Sequence, residues 1–289
     1  MRAEQVTDAI VHHGEGPVWD AIGQRMLIVD MLMGEVVDIG NPVSQANEQR
    51  RHRVGAIAAA LRPRVDGGFV VATEHGFGLF DEHFSPQWSS RDVITRADVR
   101  MNDGGCDPQG RFYCGSMAYS GALGAGALYR LDTDGTTSTV LNTVTVSNGV
   151  QWSGDGSQVF YVDSATGRID VFDFDEITGD FVDRRPFVVI DEEHGDPDGL
   201  TIDAEGGLWV AMWSGGQVRR YDSDGMLTEI VEVDGVTNTT AAAFGGSDLA
   251  TLFITTSREG IASDEEPRAG SLFAITPGVA GRELPAYAG

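Results

Sequence analysis

Apolar and polar positions along the chain fall into short runs, not into the 3.6-residue stripes of amphipathic helices. Six times a Gly-containing turn leads into a run rich in β-branched and aromatic residues: "AIGQRMLIVDM", "DGGFVVATE", "DPQGRFYCGSM", "SGDGSQVFYVDS", "DAEGGLWVAMW" and "GGSDLATLFITT". Each is followed by a second run opened by Gly: "GEVVDIG", "GFGLFD", "GALYRLD", "GRIDVFDFD", "GQVRRYD" and "GSLFAIT". Several of these alternate polar and apolar residues, as half-exposed strands do. The turn glycines Gly23, Gly68, Gly110, Gly156, Gly206 and Gly246 follow one another at 45, 42, 46, 50 and 40 residues. A strand-only unit at that period suits four-stranded propeller blades. The pattern predicts an all-β fold: a six-bladed β-propeller forming one domain over residues 1–289. The opening "EQVTDAI" is predicted to complete the last blade beside "GSLFAIT", closing the ring and removing sheet edges.

The polar residues of the repeats share a phase. Eight residues before the turn glycine stand Glu15, Asn102, Asn148 and Asp198 in four of the six repeats. The other two repeats carry Ala60 and Asn238 there. Equivalent positions in a propeller occupy equivalent places around its axis, so the four side chains are expected to converge on one end of the channel. Two carboxylates and two amide oxygens are hard ligands, suited to Ca²⁺, Mg²⁺ or Mn²⁺ and less naturally to Zn²⁺. Taken singly, each residue reads as a turn cap; four in phase do not.

Composition narrows the chemistry. The net charge is −24, from 44 acidic and 20 basic residues, and every basic residue is Arg. With no Lys, a lysine nucleophile or Schiff base is excluded. The acidity argues against nucleic-acid binding, which needs a basic surface. The basic stretch "RRHRVGAIAAALRPR" reads as a solvated face. Cys106 and Cys114 are too few for a disulfide framework or a thiolate metal cage. No apolar run is long enough to span a membrane, and the start of the chain has no secretory h-region. A cytoplasmic location is expected. His12 and His13 adjoin on a strand, face opposite ways and read as structural. There is no H-E-x-x-H and no G-x-S-x-G. "GALGAG" leads into a strand, so it reads as a flexible connection and not as a phosphate loop.

The segments "GEGPVW", "RMNDGGCDPQGRFYCGSM", "VSNGVQWSGDG" and "PDGLTIDAEGGLWVAMWSGGQVRRYD" resemble the senescence-marker-protein/regucalcin/gluconolactonase family. The likeness runs in order over nearly the whole chain. It implies a six-bladed propeller lactonase with one divalent metal in the channel, held by Glu15, Asn148 and Asp198. It also implies that Arg100 and Asn102 contact the substrate, with Asp103 behind them. Where some members carry acidic residues after the Met of "G-x-M", this chain has Tyr119 and Ser120. These two are the expected substrate contacts of that loop, and the sugar preferred is expected to differ with them. The reaction implied is hydrolysis of a sugar lactone to the aldonic acid. The base is either Asp198 or a metal hydroxide that Asp198 holds. Two alternatives stand beside it: an esterase or organophosphatase on the same scaffold, and a non-catalytic calcium-binding propeller.

Overall fold

The computed structural model describes residues 1–42, 49–262 and 264–289. Among these residues the chain forms six four-stranded antiparallel sheets and three single 3-10 turns, with no α-helix. The innermost strands of blades one to six are Gly14–Asp20, Ala60–Pro63, Val99–Cys106, Ser147–Trp152, Asp196–Ile202 and Thr239–Gly245. Each packs against the next and the sixth against the first, which makes a closed ring. The two apolar runs of each repeat are the second and third strands of a blade. The N-terminal strand Glu4–Gln5 pairs with Phe273–Ile275 as the outermost strand of blade six, the closure expected from the sequence.

Burial falls from the axis outward. Nearly every residue of the six inner strands is buried, whereas Pro86–Ser89 at the edge of blade two is exposed at every position. The apolar side chains between neighbouring blades form the core, with Trp209, Tyr113 and Tyr161 sealed from solvent. This explains the near-continuous apolar runs, because a strand buried on both faces has no reason to alternate. The basic stretch divides. Arg50–Arg53 is a largely exposed outer strand, but Ala58–Leu61 is buried and Arg62 enters the channel. The solvated part therefore runs only from Arg50 to Ala56; the remainder, "IAAALRPR", carries the inner strand of the next blade.

Five of the six inner strands shift register against the second strand near the same point. The shifts fall between Glu15 and Val18, Met101 and Gly104, Ser147 and Val150, Pro197 and Leu200, and Thr239 and Ala241. Such bulges re-aim side chains and bend the strand. Each of them encloses or adjoins the phase position of its blade, and in four a glycine follows that residue within two positions. At Gly149 an added Cβ would lie 2.6 Å from the Leu200 backbone nitrogen of the next blade. Only glycine lets the two inner strands approach that closely. Cys106 and Cys114 are buried and unbridged.

Candidate active site

One end of the channel opens into a cavity of about 370 Å³. All four phase residues, Glu15, Asn102, Asn148 and Asp198, line it, and Arg100 joins them. The segments that enter the inner strands are held by second-strand carboxylates. Asp30 accepts hydrogen bonds from the backbone N–H groups of His12 and His13, just ahead of Glu15. Asp163 does the same for Thr145 and Val146, ahead of Asn148.

The amides are locked by their partners. Ser164 Oγ donates to the Pro197 carbonyl at 2.6 Å, so it accepts from Asn148 Nδ2 at 2.8 Å. That fixes the Asn148 amide with Oδ1 on the other side. Asn102 accepts from Arg100 through Oδ1 at 2.6 Å and donates through Nδ2 to the Ser147 carbonyl and Asn148 Oδ1. Its amide thus ties Arg100 to Asn148. Arg100 is buried, and its Nε has no partner among the described residues.

The carboxylates are in the opposite condition. Burial, the nearby charge of Asp103 and, more weakly, Glu259 push Glu15 up to about 8, against the Gly16 N–H and Arg100. Asp198 is raised well above the ordinary range by burial first, then by Glu15 and Asp103. Asp198 Oδ1 is buried with no hydrogen-bond partner among the described residues. A buried, unpaired acceptor beside a second buried carboxylate is costly. A hard divalent cation resolves both costs at once, and Asn148 Oδ1 is a neutral third ligand beside them. On this donor set the residues fit such an ion. Asp103 lines a smaller void deeper in the channel, with Arg62.

Tyr119 and Ser120 are exposed and do not line the cavity. Tyr119 still reaches the site's edge: its ring centroid lies 5.8 Å from Arg100 Cζ, and its hydroxyl donates to Glu74 at 2.7 Å. The sequence reading missed His13, Trp213 and Glu259, which line the cavity. His12 and His13 do face opposite ways, the first exposed and the second buried. The inward one lines the cavity, a position the sequence did not indicate. Burial, then the charges of Arg100 and His12, lower it to about 3, so it is neutral. A signal for Trp213 existed. An antiparallel hairpin folds the position seven after the turn glycine beside the inner strand, and Trp213 pairs with Asp196 as Met117 does with Arg100. A second acidic group, Asp191, Glu193 and His194, has ligand atoms close enough for an ion but is largely exposed on a loop.

A family model described as "SMP-30/Gluconolactonase/LRE-like region" matches residues 13–258. Regucalcin from Bos taurus is 33% identical over 303 residues, covering 99% of this chain and 98% of that protein. A Bacillus subtilis (strain 168) protein named "Putative sugar lactone lactonase YvrE" is 31% identical over 296 residues, with 99% and 98% covered. Among solved structures, a calcium-binding regucalcin from Agrobacterium tumefaciens str. C58 superposes with a TM-score of 0.92 at 27% identity, covering 99% of this chain and 97% of that one. Among the described residues no helix is long and apolar enough to cross a membrane.

Proposed function

The chain belongs to the SMP-30/gluconolactonase/LRE-like family, and from that premise we propose that it hydrolyses a sugar lactone to the aldonic acid with the help of one divalent cation. The observation that carries this reading is the buried, unpartnered Asp198 Oδ1 beside Glu15 in the channel cavity. Glu15, Asp198 and Asn148 Oδ1 would hold the ion, with Ca²⁺, Mg²⁺ and Mn²⁺ the natural candidates and Zn²⁺ less so. Bound there, the cation would supply Lewis-acid stabilisation of negative charge on the lactone carbonyl oxygen.

The chain's own residues do the rest. Asp198 accepts a proton from the attacking water. The water oxygen bonds to the carbonyl carbon, the ring C–O bond breaks, and the proton returns to the ring oxygen. The product is the open hydroxy acid. Arg100, which lines the cavity, donates to the lactone and orients it. Asn102 positions Arg100 and Asn148 through its three hydrogen bonds. Tyr119, backed by Glu74, packs over Arg100 and sets how substrate approaches, with Ser120 beside it on the same loop. No nucleophilic Ser or Cys is required, and burial pushes both thiols far up, which keeps them inert.

The test is a panel of aldonolactones followed by proton release, with and without EDTA. Asp198→Asn keeps an oxygen ligand and removes the proton acceptor, so turnover is expected to fall about a hundredfold or more at saturating metal. Glu15→Gln and Asp198→Asn should each weaken metal binding more than Asn148→Ala, since charge is lost as well as a ligand. Full activity and metal content in both carboxylate variants after chelation would overturn the assignment.

A further inference from the structure

The cavity has a second polar wall. Because the inner strands follow one another around the ring, blade six lies across the channel from blade three, which carries Arg100 and Asn102. The phase residue of blade six, Asn238, does not line the cavity. It donates instead from Nδ2 to the Glu259 carbonyl at 3.0 Å, while the Glu259 N–H donates to Ser257 Oγ at 2.9 Å. These two bonds fix the backbone of Glu259 at the rim. Its half-exposed side chain lines the cavity and brings one carboxylate oxygen to 3.2 Å from His13 Nδ1.

Ser257 Oγ lies 2.7 Å from the same nitrogen. A carboxylate beside Nδ1 favours the tautomer that carries its hydrogen there. Nε2 is then left as an acceptor, and it makes no hydrogen bond to protein among the described residues. Trp213, from blade five, meets His13 edge to face with ring centroids 5.9 Å apart and lines the same cavity. Two neighbouring acceptors beside an indole suit a ring that carries several hydroxyls. The O–H groups donate to the acceptors, and the C–H face packs on the aromatic surface.

We propose that Glu259, His13 and Trp213 form a subsite for the polyhydroxylated part of the substrate, opposite Arg100. The subsite makes the protein select sugar-derived lactones over unsubstituted ones. As a statement about substrate it rests on the lactonase reading; as a statement about binding it does not. The calcium-loaded protein is therefore titrated calorimetrically with 1,5-anhydro-D-glucitol, a ring polyol with no carbonyl.

The parent is expected to bind the polyol saturably. Glu259→Ala and Trp213→Ala should each weaken binding about tenfold, and Glu259→Gln, which keeps an acceptor oxygen, about threefold or less. Thermal unfolding confirms that each variant is folded. In kinetics, Glu259→Ala should raise KM for glucono-δ-lactone about tenfold, leave kcat within about twofold and leave δ-valerolactone unaffected. No saturable polyol binding by the parent, or parent-like binding by Glu259→Ala, overturns the subsite. A parent that binds the polyol and hydrolyses no lactone overturns the lactonase reading and supports the subsite.

Discussion

At the scale of single residues, the site stores an electrostatic cost that pH reveals. Glu15 shifts from about 4.5 to about 8, chiefly through burial and then through Asp103. Its folded state therefore holds a proton that the unfolded chain has released between those values. Its contribution to stability is fully present below about pH 4.5 and is lost as pH rises through about 8. Metal-free protein should accordingly lose on the order of a few kcal/mol between those limits. Thermal melts in EDTA across this range test the sign, and Glu15→Gln should flatten the curve. Because metal displaces the proton, metal affinity should rise over the same window. Melting that improved toward pH 8 without metal would contradict the cause assigned to the shift. That Glu15, Asn102, Asn148 and Asp198 line one cavity was legible because they repeat at one phase; the choice of three of them as metal ligands came from the family resemblance. Glu259 was not legible, because it lies on an irregular loop beyond the second strand of blade six, where Asn238 and Ser257 fix its backbone and His13 meets its carboxylate.

At the scale of the strand, a proposed ligand residue and a glycine act as one unit: Glu15–Gly16, Asn148–Gly149, Asp198–Gly199. The sequence showed the pairs; it did not show why the glycine is needed. In the structure the reason is the bulge and the close approach of the next inner strand. A methyl group on residue 149 would press on Leu200 N and Cγ, both 2.6 Å away, and lie 3.1 Å from the Asp198 carbonyl. None of these is the free end of a long side chain. Gly149→Ala should therefore cost about 1–3 kcal/mol by overpacking. It should also weaken metal binding, because the displaced backbone carries Asp198 away from Asn148. Chemical unfolding together with a calcium titration separates the two effects. Normal affinity with reduced stability would show that blades four and five move as one body.

At the scale of the whole ring, the forty-odd-residue period made the six blades and their closure legible, since each repeat holds the second and third strands of a blade. The inner strands were harder to see. They carry the polar residues of the channel, so they lack the apolar runs that mark the other strands. Closure depends on few residues. Glu4–Gln5 pairs with Phe273–Ile275, Val6 donates to the Leu272 carbonyl, and Ala3 and Met1 exchange backbone bonds with Glu232 of blade five. Removing residues 1–9 would unpair several backbone groups, each worth about 1 kcal/mol, and leave Phe273–Ile275 as an open edge. The truncated protein should melt about 10 °C lower and self-associate through that edge, measured by scanning calorimetry and light scattering. Saturating calcium should raise its melting temperature without restoring the parent's value. The proposed ligands come from blades one, four and five, whereas the lost strand joins blade six to itself and to blade five. A truncated chain that stayed monomeric and melted with the parent would mean that packing between inner strands closes the ring unaided.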